Sequence, residues 1–150
     1  MSGDTPMRAH ASTLPAPEFA DPAFVSPIVL ADARVAIVTS AALHRADDEA
    51  FTQNDASYRV IPRAERALVL GHWSPNFDRA GFTADLNVVF PIDRLEELAD
   101  RGVIGSVAER HFSFAGNQPD DLATIVHDSG PAVAAELKAD AVDVVLLTPV

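Results

Sequence analysis

Two short, continuous runs of apolar residues dominate the hydrophobic pattern of the chain. Residues 35–40 and residues 143–148 consist largely of valine, isoleucine and leucine, with little polar interruption. Such a run is typical of a strand that is buried on both faces of a parallel sheet. Both runs are therefore predicted to be core strands. Shorter strand candidates lie at residues 58–62, 86–90, 103–107 and 110–114.

A helix is predicted directly after residue 90. Pro91 suits the first turn of a helix because it has no amide hydrogen to leave unsatisfied. Ile92, Leu95 and Leu98 then recur at helical spacing and share one face. Gly102 is predicted to end this helix.

A second helix is predicted from Asp120 to Lys138. Its first residues are acidic, which favours a helix amino terminus, and apolar residues follow at helical spacing. The pair Gly130 and Pro131 is predicted to interrupt or kink it. Residues 41–54, with polar side chains on every face, are predicted to be a loop or a short exposed helix.

The alternation of strands and helices predicts the fold class. We expect an α/β domain over residues 31–150, with a mostly parallel sheet and flanking helices in three layers. This arrangement is doubly wound, similar to flavodoxin and Rossmann folds, and is predicted to be incomplete at the carboxyl terminus, as a fragment of a longer chain. Residues 1–30 hold five of the 11 prolines, so they are predicted to form an extended arm that docks on the domain or on a partner subunit.

Composition narrows the possible functions. The net charge of −11 opposes binding to nucleic acid and to an anionic membrane surface. The amino-terminal residues contain no long apolar run, so neither a secretory signal nor a membrane span is predicted, and the expected location is the cytoplasm. The absence of cysteine excludes disulfides, thiolate metal sites and thiol catalysis within these 150 residues.

Three histidines, His44, His72 and His111, lie near or within predicted strands, and the loops of open α/β sheets carry active sites at strand ends. Their spacing fits no zinc signature, so no metal site is predicted. Ser40 and His44, with Asp47 or Asp48, have the residue types of a hydrolase triad but lack the glycine-flanked nucleophile. The segment from residue 72 to residue 79 mixes polar groups with aromatic rings, and it is either a binding loop or a plug at the edge of the core.

Several long strings resemble one family. The chain is similar to the selenoprotein B family of glycine, sarcosine, betaine and D-proline reductases, and most of all to its short form in D-proline reductase. The resemblance covers nearly everything after Ala33. The strings that carry it are residues 39–49, 57–62, 72–79, 85–95, 102–107 and 143–150.

The resemblance implies a redox-active selenocysteine, or a cysteine in some relatives, directly after Val150. No catalytic residue then lies within the chain, and the chain as given is expected to be inactive. The family performs thiol-dependent reductive cleavage of an amino acid or a related amine, so a thiol reductant and a partner subunit with a pyruvoyl group are implied. The residues expected to line the site are Ser40, His44, His72, Asp78, His111, Thr148, Pro149 and Val150.

Two other functions remain open from the sequence. One is a non-catalytic binding or scaffold protein derived from this family, and the other is a metal-dependent hydrolase that uses the three histidines. A homodimer is also predicted for the chain, because strand edges left uncovered by a missing half-domain favour association.

Overall fold

The structure is a computed structural model that describes residues 5–6, 9, 12–13, 25–74, 79–116, 118–119 and 121–150. Its strands are β1 (Arg34–Thr39), β2 (Leu43–Arg45), β3 (Tyr58–Pro62), β4 (Leu68–Leu70), β5 (Ser106–Val107), β6 (Arg110–Phe114) and β7 (Val144–Thr148). Its α-helices are α1 (Arg79–Ala84), α2 (Ile92–Asp100) and α3 (Gly130–Ala139). Leu30–Asp32 and Leu86–Val88 are 3₁₀ turns, and Ile125–Ser129 is a π-helical turn.

Strand β1 is the centre of the sheet. It pairs in parallel with β7 over five positions, from Val35 opposite Val144 to Thr39 opposite Thr148. On its other side it pairs in parallel first with β5 and then with β6. Strand β3 lies antiparallel to β6, while β2 and β4 form a separate antiparallel pair.

The two faces of the sheet carry separate clusters of buried side chains. Ile37 of β1 packs in one cluster with Phe90 and with Leu95 of α2. Ala36, the neighbouring residue of β1, packs in the other with Val133 of α3. Side chains of successive strand residues point to opposite faces, so one strand contributes to both clusters. Helices of the described chain therefore contact both faces.

An ion-pair network joins α3 to the sheet. Arg110 of β6 donates from Nε and Nη2 to the two carboxylate oxygens of Asp140, at 2.8 Å each. Its third nitrogen, Nη1, donates to Glu136 of α3, which also accepts a hydrogen bond from the hydroxyl of Tyr58 at 2.6 Å. A planar guanidinium suits this two-pronged geometry, and the network fixes the carboxyl end of α3 against β3 and β6.

The main features of the predicted fold are confirmed. The strands at residues 35–40 and 143–148, the helix after Pro91 and a mostly parallel, curled sheet are all present. The doubly wound, flavodoxin-like strand order stays a prediction. The observed sheet differs from it in two respects: β3 runs antiparallel to its neighbour, and β2 and β4 lie outside the main sheet.

Other predictions were wrong in detail. Residues 86–90 do not form a strand, because Asp85 accepts the amide hydrogen of Asn87 and starts a 3₁₀ turn. Residues 41–54 contain the short strand β2. By contrast, the interruption predicted at Gly130 and Pro131 is present as the π-helical turn before Gly130. A Cβ at Gly130 would lie 2.5 Å from the carbonyl oxygen of Ile125, so glycine lets this turn run directly into α3.

Strand β7 differs from the prediction in its burial. Within the described residues it pairs with β1 alone, so it lies at the edge of the sheet. Leu147 is 67% exposed, and Val145 and Leu146 are also partly open to solvent. The expected burial of both faces is therefore not found for this strand.

Most of the predicted amino-terminal arm lies outside the described residues. Thr5, Pro6 and Ala9 are helical, and residues 25–29 are in neither helix nor strand. The extended arm stays a prediction. None of the helices in the described part of the chain has the length and apolar character needed to cross a membrane.

Candidate functional site

The carboxyl ends of β1 and β7 lie side by side and carry the candidate site. The amide of Ser40, directly after β1, donates to the carbonyl oxygen of Thr148 at 3.2 Å. The Ser40 hydroxyl accepts the amide hydrogen of Val150 at 2.9 Å and lies 3.3 Å from the Val150 carbonyl oxygen, to which it donates. These bonds hold the backbone after Pro149 against the end of β1.

Two threonine hydroxyls fix the strand ends from one face of the sheet. Thr39 of β1 and Thr148 of β7 lie opposite each other, and each Oγ1 donates to the carbonyl oxygen of Val89 at 3.0 Å. Thr39 is fully buried, and its Oγ1 also accepts the amide hydrogen of Ala41 at 3.2 Å. The turn after Leu86–Val88 is thereby bonded to both strands.

His72 completes the site. Its imidazole is buried, its Nδ1 accepts the amide hydrogen of Ser74 at 3.1 Å, and its ring lies near enough to the backbone of Val150 to be affected by it. Burial lowers the pKa of His72, the nearby backbone of Val150 opposes that shift, and the charge of Arg79 lowers the pKa further. Because imidazole titrates near pH 6.5 without perturbation, the ring is mostly neutral at pH 7.

Gly116 contacts the same group of residues. A Cβ at this position would lie 2.4 Å from Nε2 of His72 and 2.8 Å from the carbonyl oxygen of Ser40. Those distances are shorter than any ordinary carbon contact, so only glycine allows both groups to approach. The sequence showed Gly116 only as the end of a strand; a glycine directly after a strand is a weak signal of such an approach.

His44 lies close to His72 but in a different environment. Its Nδ1 is 3.1 Å from the carbonyl oxygen of Ala42, and its ring meets the edge of Phe51 at 5.9 Å. His44 and His72 line one cavity of about 350 Å³. Other residues of that wall are Phe51, Leu70, Trp73 and Arg79.

A smaller recess of about 200 Å³ opens beside the strand ends. It is mostly apolar, and its walls include Val38, Ser40, Phe114, Leu147 and Thr148. The backbone at Pro149 therefore lies next to an apolar surface as well as next to the polar contacts of Ser40 and His72.

His111 is the second residue of β6. It is fully buried, its Nδ1 accepts the amide hydrogen of Ile37 at 2.9 Å, and its ring packs edge-on against Phe90 at 5.3 Å. The hydrogen bond from Ile37 lies at the point along β1 where the neighbouring strand changes from β5 to β6. The imidazole therefore accepts the hydrogen bond that a backbone carbonyl would accept in a continuous pair of strands. In the described part of the chain, no hydrogen bond joins His111 to Ser40, His72 or Val150.

Five of the eight predicted lining residues thus come together: Ser40, His72, Thr148, Pro149 and Val150. His44 shares a cavity with one of them, and His111 has a structural contact instead. Asp78 lies outside the described residues. Among the residues that are described, no three histidine or carboxylate side chains converge as a metal site would require.

Comparison with known proteins adds a second, independent observation. The sequence matches the family described as glycine/sarcosine/betaine reductase selenoprotein B over residues 7–150. It is 35% identical over 122 residues to the D-proline reductase subunit gamma of Acetoanaerobium sticklandii, covering 79% of this chain and 49% of that relative. The chain therefore spans about half the length of this curated relative. No solved structure matches it significantly.

Proposed function

Because the chain belongs to the glycine/sarcosine/betaine reductase selenoprotein B family, as its motifs predict, we propose that it is part of a subunit of a glycine-, betaine-, sarcosine- or D-proline-reductase-type complex. The proposed reaction is thiol-dependent reductive cleavage of an amino acid or a related amine. The redox residue, a selenocysteine or a cysteine, directly follows Val150 in this proposal. A partner subunit with a pyruvoyl group and a thiol reductant complete the system.

One observation carries the proposal. The backbone of Val150 is bonded to Ser40 and lies beside His72 at the carboxyl ends of two parallel strands. Active sites of open parallel sheets collect at that edge. The backbone to which the next residue is attached is thus held in place. It lies between the apolar recess and the neutral imidazole of His72.

The residues present suit a chalcogen nucleophile. When present, the selenocysteine or cysteine supplies the nucleophile and the redox couple of the reaction. This chain contributes the fixed strand end, the hydroxyl of Ser40, and an apolar wall at Val38 and Leu147. The 150 residues contain no cysteine, so they are expected to be inactive on their own.

The first prediction concerns the native gene product. We expect its intact mass to exceed 16.0 kDa, because the redox residue and a further segment follow Val150, and we expect mass spectrometry of a tryptic digest to find selenocysteine or cysteine there. Reductase activity with the partner subunit and a dithiol should require this longer product. A native protein of 16.0 kDa that ends at Val150 contradicts the proposal and favours the non-catalytic scaffold.

The second prediction concerns self-association. The edge strand β7 exposes Leu147 and unpaired backbone groups, and such edges favour pairing with another chain. We propose a homodimer, for which light scattering should give twice the 16.0 kDa of one chain. Leu147→Glu places a charge on the edge and is expected to yield monomer.

The matched control is Val126→Glu, because Val126 is similarly exposed but lies on the π-helical turn away from β7. It should leave the dimer intact. A monomeric starting protein, or equal dissociation by both substitutions, is incompatible with association through β7.

A further inference from the structure

The imidazole of His44 is held in one tautomer. Its Nδ1 lies 3.1 Å from the carbonyl oxygen of Ala42, and because a carbonyl oxygen can only accept, Nδ1 carries the hydrogen. In the neutral ring the lone pair is therefore at Nε2, which has no hydrogen bond to any residue that the structure describes. The ring lines the cavity of about 350 Å³, so it offers a hydrogen-bond acceptor to a molecule bound there.

The backbone around His44 fixes that orientation. Ala42 has a φ of 54°, in the left-handed region that alanine rarely adopts, and its carbonyl oxygen also accepts the amide hydrogen of Gly71 at 3.0 Å. A Cβ at Gly71 would lie 3.2 Å from Cε1 of His44 and 3.0 Å from the same carbonyl oxygen, so glycine gives the ring room. Backbone held in a rare conformation is frequent at binding and catalytic sites.

Arg79 contributes a positive charge to the same cavity. Its Nη2 donates to the carbonyl oxygen of His72 at 2.7 Å, which anchors the guanidinium. Among the residues that the structure describes, no carboxylate lies within ion-pairing distance of Arg79. Other arginines do pair with an acidic side chain, namely Arg45, Arg59, Arg63, Arg66, Arg94 and Arg110. A guanidinium in a cavity suits a carboxylate ligand, which it can bind through two parallel N–H groups.

The rest of the cavity wall is largely apolar and includes the one tryptophan of the chain. Trp73 is 54% exposed, but its Nε1 donates to the carbonyl oxygen of Phe51 at 3.2 Å, so the indole is held in place although it is open to solvent. Phe51 and Leu70 extend the apolar surface. The cavity thus combines a cation, a neutral acceptor and hydrocarbon walls, and its volume suits a small molecule.

We propose that this cavity binds the amino-acid substrate, with Arg79 holding its carboxylate and Nε2 of His44 accepting a hydrogen bond from its amino group. The inference rests on the proposed function, since it takes the bound amino acid to be the molecule that is cleaved. His72 lines the same cavity and lies beside the backbone of Val150. A molecule held by Arg79 and His44 is therefore close to the proposed redox position, with its hydrocarbon part against Trp73.

The test is the binding of three similar ring compounds to the whole 150-residue chain. Proline carries both groups, pyrrolidine lacks the carboxylate, and cyclopentanecarboxylate lacks the amine. Because Trp73 is the only tryptophan, its fluorescence and its indole N–H signal in NMR report occupancy of the cavity. We expect proline to bind with a dissociation constant of about 1 mM, and each of the other two to bind about tenfold more weakly.

An indole signal that neither proline nor glycine moves at tens of millimolar overturns the proposal. Equal binding of the three ring compounds overturns it as well, because the cavity would then recognise hydrocarbon alone.

Two substitutions assign the two polar groups. Arg79→Gln removes the charge that the carboxylate needs, so it should weaken proline about tenfold and leave pyrrolidine unchanged. His44→Phe keeps a ring beside Gly71 but removes the acceptor, so it should weaken proline by a similar factor and leave cyclopentanecarboxylate unchanged. A purely structural role of either residue would weaken all three compounds to the same extent, and that result contradicts the assignment.

The matched control is Arg94→Gln, because Arg94 is an exposed arginine of α2 that pairs with Glu97, and all affinities should stay the same. If His44→Phe fails to fold, nitrogen NMR of the unsubstituted chain decides. Proline should shift the Nε2 signal of His44, whereas cyclopentanecarboxylate should not; a shift with both compounds or with neither overturns the proposal. The mass of the native product tests the redox residue separately, so the binding site and the proposed reaction can fail independently.

Discussion

Acidification is expected to destabilise the protein through His111, by about 3 kcal/mol between pH 6.5 and pH 4. Burial lowers the pKa of His111 from 6.5 to about 4, and the charges of Arg63 and Arg66 act in the same direction, while Glu96 opposes them. The unfolded chain therefore binds a proton below pH 6.5 that the folded chain refuses until about pH 4. The resulting stabilisation is complete above pH 6.5 and is lost as the pH falls toward 4.

Urea unfolding at several pH values measures this loss, and His111→Asn isolates it. The Oδ1 of asparagine can accept the amide hydrogen of Ile37 in place of Nδ1, but it does not titrate. The variant should lose some stability at pH 7, because a smaller side chain fills the space beside Phe90. Carboxylates still titrate in the variant. The test is therefore the difference between the two proteins in the slope of the free energy of unfolding against pH. Equal slopes between pH 6.5 and pH 4 contradict the assignment.

The periodic parts of the fold were predictable from sequence. Strands β1 and β7 and helix α2 have apolar patterns long enough to specify their type. Strands β2 and β4 have three residues each, which is too short for any pattern to show. The turn at Leu86–Val88 has an apolar pattern like that of a strand, but the local bond from Asn87 to Asp85 decides its conformation.

The exposure of β7 has a different origin. The composition of residues 143–148 specifies a strand suited to burial, whereas its actual burial depends on which segments cover it. The structure pairs it with β1 alone in the described residues. The sequence predicts that such a segment prefers to be buried, and tertiary contacts determine whether it is buried.

Part of the candidate site was also predictable. The rule that active sites lie at the carboxyl ends of parallel strands, together with the family motifs, places Ser40 and Val150 in one site. The carbonyl of Val89 and the close approach at Gly116 could not be predicted, because both depend on backbone contacts between residues far apart in sequence. His111 was assigned to the site by its residue type and its position in a predicted strand region, and its contact with Ile37 could be found only from the pairing of β1.

Replacing Gly116 with alanine is expected to be the most damaging small change at the site. The new Cβ would meet Nε2 of His72 at 2.4 Å and the backbone oxygen of Ser40 at 2.8 Å. The imidazole can rotate away, but the Ser40 backbone is bonded to Thr148 and cannot easily yield. We expect a loss of about 1–3 kcal/mol in the free energy of unfolding, typical of overpacking.

A second readout shows whether the damage occurs at His72. Burial lowers the pKa of this imidazole, so a ring that is displaced into solvent should titrate closer to pH 6.5. NMR titration of His72 in Gly116→Ala should therefore give a raised pKa, while the pKa of His111 stays low because its contacts lie elsewhere. Gly81→Ala is the matched control, since Gly81 lies in α1 and its Cβ would lie 3.6 Å from the side chain of Val88, an ordinary contact. Gly116→Ala with unchanged stability and an unchanged His72 pKa would show that the imidazole does not lie against Gly116.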